Sequence, residues 1–327
     1  VGGAYQSFVW NNNARGNATV SVVVVELRQE SVSRRKYLYS ESGVRFVKNI
    51  SAYLTEGGSD IMVASRTTSI SGFPQISHGN MPADGGHLLM SAEEMNEEVS
   101  KDGSISEFIL PLLTSKTMFS GGKRFCLWLE YPRRESWSEI DSIRRRVQLV
   151  QEVREVSSRP HLAEIPHQFA QITQLASGSS IAIPRVSSSR RHYVPCIVIE
   201  NSRTRVTDSL YLVQLERVFV LGVICSRLHV VWLDAFGGKM RDDFQYSKGL
   251  VYNTFPFPAI SKQREEELAM CALRILEVRE RYPEKTLAEL YDPDKMPEDL
   301  LEAHRLNDEA VERCYRARPF ESDEDRL

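Results

Sequence analysis

Residues 246–281 read YSKGLVYNTFPFPAISKQREEELAMCALRILEVRER, and the pattern of the chain changes within them. Ser261 is a favourable N-cap for a helix from Lys262 to about Arg281, and Pro283 is placed to stop that helix. A second helix is predicted to start near Pro297, because proline is well tolerated in the first helical turn. Apolar residues recur at helical spacing in both segments: Leu268, Cys271, Ala272 and Ile275, then Ala303, Leu306, Ala310 and Cys314. The chain is therefore predicted to end in a helical pair.

Upstream of this pair the sequence is rich in short strand candidates. The β-branched run Val20–Leu27 (VSVVVVEL) predicts a strand buried inside a parallel or mixed sheet. Other strands are predicted at 44–54, 61–65, 125–130, 181–184, 194–199 and 210–213. Helices are predicted after Ser91 and over 138–156, whereas 218–231 fits either a core helix or a strand. Strands followed by separate helices predict an α+β fold.

Four polar or glycine-rich segments are predicted to lack regular structure. Residues 11–16 form a turn-rich loop, 28–43 a polar loop and 72–86 a long surface loop. The acidic end, 321–327, is predicted to be disordered.

The composition excludes several classes of protein. The formal net charge is −3, so the chain as a whole is not a generic polyanion binder. Residues 123–205 carry 14 basic and 8 acidic side chains, and 261–327 carry 12 and 19, although charge fluctuates along any chain. Five scattered cysteines without a C-x-x-C pair argue against zinc and disulfides, and they favour a reducing, cytoplasmic compartment. No apolar run reaches the roughly 18 residues of a membrane span, so no membrane is expected. The first residue is Val1, which fits a piece of a longer protein.

The sequence predicts no catalytic residues and no metal site. It contains no G-x-G turn of the dinucleotide-binding type, no P-loop, no G-x-S-x-G and no Pro-Pro pair. The closest histidines, His161 and His167, have no acid or cysteine to complete a ligand cluster. Asp292, Asp294 and Lys295 resemble a nuclease acid–lysine set, but their proline-rich context predicts a turn between helices.

Two segments suit contact with nucleic acid. The first, 181–195 (IAIPRVSSSRRHYVP), places Arg185, Ser187, Ser188, Ser189, Arg190 and Arg191 between two strand-like ends. Arginine can make a bidentate contact to guanine and serine can contact bases or phosphates, although a solvated hairpin with ordinary charges explains the pattern equally well. In the second, Lys248 lies among aromatic residues, which suits nucleic acid but is more typical of a packed domain junction.

Six blocks of the chain resemble, in the same order, segments of MmeI-like DNA methyltransferases. Many of these are single-chain type IIL restriction–modification enzymes. The blocks are FVWNNNARGNATVSVVVVEL (8–27), GNMPADGGHLLMSAEE (79–94), KRFCLWLE (123–130), IPRVSSSRRHYVP (183–195), 219–258 and 281–315. The resemblance implies C-terminal strands of a methyltransferase domain at 1–40, a DNA target-recognition domain at 41–253 and a C-terminal helical domain at 254–327.

The resemblance also assigns expected roles to residues. The family reads particular base pairs with the residues that match Ser189 and Arg191, and many members carry an acid where this chain has Ser189. Phe8 or Trp10 matches an aromatic that packs against a flipped base, although Trp10 taken alone is more readily explained as a core residue. The parent protein is expected to use S-adenosylmethionine, while this piece, without the donor-binding turn or an Asn-Pro-Pro-aromatic turn, is expected to bind none and to be inactive alone.

Three functions remain open at this point. The chain is either part of a site-specific adenine-N6 DNA methyltransferase or a stand-alone specificity subunit that directs a separate catalytic chain. Both bind double-stranded DNA, with a methyltransferase portion in cis or in trans as partner. A weaker third alternative is a protein-interaction scaffold built on the acidic helical end.

Overall fold

A computed structural model describes residues 1–11, 19–29, 35–40, 43–51, 53–54, 56, 62–129, 137–240 and 243–327. The predicted turn at Asn12, Asn13 and Gly16 lies outside the described residues, as does Ile61. The first sheet contains β1 (Gly3–Asn11), β2 (Thr19–Glu26), β3 (Lys36–Ser40) and β4 (Gly43–Val47), in the order β2-β1-β3-β4. β1 pairs antiparallel with β2 and parallel with β3, so this sheet is mixed.

The prediction that Val20–Leu27 is buried is wrong for the residues whose side chains are described. β2 lies at the edge of its sheet, where Val23, Val24 and Val25 are 51%, 57% and 41% exposed. Successive strand residues point to opposite faces, so both faces of β2 are uncovered here. An apolar run is buried only where other elements cover it, and the described residues supply no such cover at these three valines.

The remaining elements follow in chain order. They are β5 (Ile76–His78), β6 (Leu89–Ser91), α1 (Ala92–Lys101), a 3₁₀ helix (Gly103–Phe108), β7 (Ile109–Leu113), α2 (Ser115–Ser120), β8 (Arg124–Leu127), α3 (Asp141–Glu155), a 3₁₀ helix (Pro160–Glu164), β9 (Ser179–Pro184), β10 (Val186–Ser187), β11 (Ile197–Glu200), β12 (Arg205–Val206), β13 (Leu210–Gln214), α4 (Phe219–Ile224), α5 (Arg227–Phe236), β14 (Gly238–Met240), β15 (Asp243–Gln245), a π-helix (Lys248–Tyr252), α6 (Lys262–Glu280), α7 (Leu287–Leu290), α8 (Glu298–Glu312) and α9 (Asp323–Arg326).

Two central sheets carry the middle of the chain. One has the order β11-β9-β13-β5 and the other β12-β7-β8-β6. β9 is buried along most of its length, as its sequence IAIP suggests, because both of its faces are covered: Ile181 and Ile183 pack into one core cluster and Ala182 packs into another. α3 packs its apolar stripe, including Ile143 and Val150, into the core beside β7 and β8. The predicted α+β class is confirmed.

The helices at the end of the chain form as the sequence predicts. The Ser261 hydroxyl accepts a hydrogen bond from the Arg264 amide at 3.3 Å and so caps α6. The undecided segment 218–231 is helical, forming α4 and α5. A β-carbon on Gly222 of α4 would lie 2.9 Å from Asn307 Oδ1 and 3.1 Å from the Leu268 carbonyl oxygen. Glycine therefore allows α4, α6 and α8 to approach closely around a core shared with β9 and β13.

Several segments predicted to be irregular are ordered by tertiary contacts. Strand β3 forms within the predicted loop 28–43, and β5 within 72–86, where Asn80 and Asp84 are also buried. The predicted disordered end contains α9, capped by Ser322 and joined through Asp323 to Arg227. Conversely, 62–65 forms no strand. The polar composition of 28–43, 72–86 and 321–327 predicted irregular structure wrongly, because polar groups can be ordered when other parts of the chain supply their hydrogen-bond partners.

Candidate nucleic-acid interface

The arginine- and serine-rich segment rises from a strand pair, as its flanking residues predict. β9 and β11 are antiparallel, with Ala182 opposite Ile197. Between them, β10 pairs with β15, which in turn pairs with β14. The Arg185 carbonyl accepts a hydrogen bond from the Tyr246 amide at 2.8 Å, and the Arg185 amide donates to the Ser209 carbonyl at 3.3 Å, so both backbone groups at the start of the segment are held.

The tip of the segment is a tight turn. The Arg191 amide donates to the Ser188 carbonyl at 3.2 Å, which places Ser189 and Arg190 at the exposed apex. Arg190 Nη2 lies 2.6 Å from Asp294 Oδ2, and these side chains are 66% and 74% exposed. Such an exposed ion pair is weak, about 0–1 kcal/mol, so a phosphate can displace the carboxylate. Ser189 is the most accessible serine of the turn.

Arg191 is held much more firmly than Arg190. Its guanidinium carbon lies 4.4 Å from the centre of the Phe119 ring, and its Nη1 donates to Ser187 Oγ at 3.2 Å. Its Nε is buried and has no acceptor among the described residues. Burial lowers the pKa of Arg191, opposed by the charges of Asp243 and Asp292. Ser187 is itself 6% exposed, so in this conformation it orients Arg191 rather than pointing to solvent.

A second basic group forms around Tyr211. The Arg185 guanidinium carbon lies 5.7 Å from the Tyr211 ring centre, and the centre of the His78 ring lies 4.8 Å from that of Tyr211 with the two rings tilted by 43°. Exposed Lys248 starts the π-helix. Burial lowers the pKa of His78, and the charges of Lys248 and Arg185 lower it further. The fold thus brings Arg185 and Lys248, which are distant in sequence, into the surroundings of the same histidine.

The far end of the segment is anchored to the C-terminal helices. The Tyr193 hydroxyl donates to Asp308 Oδ2 at 2.8 Å, and its ring stacks 4.0 Å from that of His304. Arg279 Nη1 donates to the Cys196 carbonyl at 2.6 Å. Burial raises the pKa of Asp308 to about 7. The helical end therefore fixes the shape of the basic segment.

Phe8 and Trp10 lie on β1 of the first sheet, whereas the strands of the basic segment belong to other sheets. Their ring centres are 6.4 Å apart, and Tyr5 meets Phe8 edge-on at 4.8 Å. Trp10 is 56% exposed. An exposed ring is available for stacking, and the interpretation of Trp10 as a core residue does not fit this exposure within the chain.

Sequence reasoning missed Phe119, His78 and Tyr211. None of them lies in the basic segment, and neither their spacing nor their neighbours in the sequence indicate that they belong to the interface. Asp294 was assigned to a turn, which the 292–295 turn confirms, but its pairing with Arg190 could not be seen from sequence. Such contacts join positions about a hundred residues apart.

Other kinds of site find no support in the described ranges. They contain no group of three or more His, Cys, Asp or Glu side chains placed to hold a metal ion. Within the same ranges, no helix combines the length and the apolar character needed to span a bilayer. The five cysteines are free thiols, and three of them are buried.

Comparisons with known proteins identify the family. The model of the MmeI target recognition domain matches residues 57–259, and that of the MmeI C-terminal domain matches 260–327. DNA methyltransferase A of Bacillus subtilis (strain 168) is 38% identical over 327 residues, which are 99% of this chain and 37% of that protein. The solved structure of the type IIL restriction–modification enzyme MmeI in complex with DNA superposes with a TM-score of 0.93 at 28% identity, over 99% of this chain and 44% of that one. The chain thus spans less than half of either relative, and it belongs to the MmeI family as its target recognition and C-terminal domains.

Proposed function

We propose that this chain recognises a specific sequence in double-stranded DNA on behalf of a site-specific DNA methyltransferase. The observation that carries the proposal is the geometry of Arg191, a stacked and anchored guanidinium beside an exposed turn. Arg185, Ser188, Ser189, Arg190 and Lys248 supply contacts to bases or phosphates around it, and Ser187 orients it. A MmeI structure in complex with DNA and a relative named as a DNA methyltransferase support this function.

The reaction of the parent protein is proposed to be transfer of a methyl group from S-adenosylmethionine to adenine N6. The residues of this chain do not fit a site for that donor, because its sequence has no G-x-G turn. The sequence also has no Pro-Pro pair for the turn that would hold the flipped amine of adenine. No catalytic step is therefore assigned to these residues, and the chain alone is proposed to bind DNA without methylating it. The proposed location is the cytoplasm.

The proposed partner is an N-terminal methyltransferase portion, joined in cis or bound in trans. Val24 of β2 lies in register with Tyr5, Tyr39 and Val44 across the first sheet, so these side chains share one face with Phe46. Val24, Val44 and Phe46 are 57%, 58% and 56% exposed, and this apolar face suits such a neighbour. In this proposal, residues 1–40 complete the methyltransferase sheet, with Phe8 and Trp10 beside the flipped base. Residues 41–253 are the recognition domain and 254–327 the helical domain, although the family models divide the chain six residues further on.

The alternative is a stand-alone specificity subunit without catalytic activity. The two functions differ in what the gene encodes upstream of Val1. A donor-binding turn and an Asn-Pro-Pro-aromatic motif in the same reading frame would support the methyltransferase, whereas a nearby start codon would favour the subunit.

Replacement of Arg191 by alanine is expected to relax the sequence preference at one base pair. A bidentate contact to guanine contributes about 1–3 kcal/mol of discrimination, which the variant would lose. Selection from a randomised duplex library would define the preferred site, and binding titrations with single-base-pair substitutions would measure the loss. Arg274→Ala on α6 removes the same charge from an exposed ion pair and serves as control. An unchanged preference in Arg191→Ala would remove this residue from base recognition.

Replacement of Lys248 by alanine is expected to weaken binding to every duplex alike. Lys248 is exposed, and its charge, like that of Arg185, acts on His78, so its position suits contact with a phosphate. Loss of one phosphate contact reduces the slope of log K against log salt concentration by about one. Titrations at several salt concentrations measure this slope, and a sequence-dependent effect would instead indicate a base contact.

A further inference from the structure

We propose that Phe119 is a positioning residue for DNA recognition, whose ring fixes the Arg191 guanidinium in the orientation that reads guanine. The proposal rests on the proposed function and adds α2 to the elements that set specificity. Phe119 lies in α2, far from Arg191 in the sequence. In this proposal it does not contact DNA.

Two contacts constrain Arg191 from different directions. The Phe119 ring covers one face of the guanidinium at 4.4 Å, and buried Ser187 accepts a hydrogen bond from Nη1 at 3.2 Å. A planar cation held against an aromatic face and at one nitrogen has little rotational freedom left. The plane of the guanidinium is therefore set before any ligand arrives.

The same contacts decide which edge of Arg191 is available. Nε is buried, so the side edge formed by Nε and Nη2 is closed. Nη1 uses one hydrogen on Ser187 and keeps the other, which leaves the end edge formed by Nη1 and Nη2. Two parallel N–H groups on this edge match O6 and N7 of guanine in the major groove. The ligand class is therefore the Hoogsteen edge of a guanine.

Phe119 is placed for this role independently of the core. In α2 the buried side chains are Thr117 and Met118, whereas Phe119 is half-buried. The helix is held without its ring: Thr114 caps it, the Ser115 amide donates to Ser209 Oγ at 2.9 Å, and Gly121 ends it with a left-handed φ of 69°. Loss of the aromatic ring should therefore leave α2 folded.

The test is a double-mutant cycle read out as base discrimination. The measured quantity is the discrimination ratio, which is the dissociation constant for a duplex that lacks guanine at the position sensitive to Arg191→Ala divided by the dissociation constant for the preferred duplex. We expect Phe119→Leu to lower this ratio by about tenfold, which is within the range of one base contact. Phe119→Tyr keeps the aromatic ring and should keep the ratio of the parent chain. In the Arg191→Ala background, Phe119→Leu should lower the ratio no further, because Phe119 acts through Arg191.

Other results would separate the inference from the proposed function. If Phe119→Leu keeps the discrimination ratio of the parent chain while Arg191→Ala loses it, the role of Phe119 is refuted and the proposed function is not. An additional loss from Phe119→Leu in the Arg191→Ala background would show that Phe119 acts by itself. A chain that shows no sequence preference at all would instead overturn the proposed function.

Ser187→Ala provides a second variant should Phe119→Leu fail to fold. It removes the other anchor of Arg191 with little change of volume, and the expected result is again a lower ratio that depends on Arg191. Urea unfolding of each variant identifies loss of folding. An unchanged ratio in a folded Ser187→Ala variant would contradict the constrained orientation on which the role of Phe119 depends.

Discussion

Arg154→Met is expected to cost about 3–5 kcal/mol of unfolding free energy, since breaking a buried charged network leaves its partners unsatisfied. Arg154 on α3 is 1% exposed, and its five N–H groups donate to five backbone carbonyl oxygens. The acceptors, at 2.8–3.1 Å, are Pro82, Ala83, Leu162, Ile165 and Gln168. The side chain therefore joins two irregular segments to one helix.

Methionine removes the hydrogen bonds and the charge of Arg154 while it changes the helix propensity and the side-chain volume little. Methionine has nearly the helix propensity of arginine, and it fills much of the same volume. Ala83, which accepts from Nε, has a left-handed φ of 42°, a conformation that alanine adopts only when its surroundings hold it. Loss of Arg154 should thus release this turn as well. Burial lowers the pKa of Arg154 and the charge of Asp84 opposes this shift.

Urea unfolding at neutral pH measures the effect, and Arg145→Met is the matched control. Arg145 lies on the same helix but is exposed, so its replacement should change stability by less than about 0.5 kcal/mol. Equal unfolding midpoints for the two variants would show that water replaces the Arg154 hydrogen bonds without cost.

Acidification from pH 6.5 to pH 4 is expected to destabilise the chain through two buried histidines. Burial lowers the pKa of His229 and of His304 to about 3, from an ordinary value of 6.5. Between these values the unfolded chain binds a proton at each histidine and the folded chain does not. Unfolding free energy therefore rises with pH in this window, by about 1.4 kcal/mol per pH unit for each histidine.

Asp308 opposes this trend. Burial raises its pKa to about 7 from an ordinary value of 3.8, so between these values the folded chain holds a proton that the unfolded chain has lost. Its contribution to stability falls as pH rises. Two histidines against one such carboxyl leave a net gain of stability with rising pH up to about 6.5.

Single substitutions test how much each residue contributes to the pH dependence of the unfolding free energy. His304→Gln and His229→Gln should each flatten the dependence of unfolding free energy on pH between 4 and 6.5 relative to the parent chain. Asp308→Asn should steepen it, because the amide retains the shape without the titration. Urea midpoints at four pH values provide the measurement, and parallel curves for all variants would contradict the assignment.

Some elements of the fold followed from local sequence because local interactions are enough to form them. α6 and α1 were predicted from a serine cap and helical spacing, and the caps form at Ser261 and Ser91. β9 was predicted from its apolar run, and the turn at Asp292 from its proline-rich context. In each case the residues that decide the structure are within a few positions of one another.

The predicted nucleic-acid interface likewise has features that local sequence indicates and features that only the fold decides. The residue types of 185–191 suggested contact with DNA without distinguishing the three serines and three arginines, and only the family resemblance singled out Ser189 and Arg191. The fold separates them: Ser187 is buried under Arg191, Ser189 is exposed, and Arg190 pairs with Asp294. Burial and pairing depend on chain segments that local patterns do not bring together.

The sequence by itself determined the α+β class, the helical end and the segment that carries the basic turn, because spacing, capping and residue type act over a few residues. The tertiary structure alone decided that β2 is an exposed edge, that Arg154 ties two irregular segments to a helix, and that Phe119 meets Arg191. The physical reason is that desolvation and the partners of a buried polar group depend on what packs against it, often many tens of residues away.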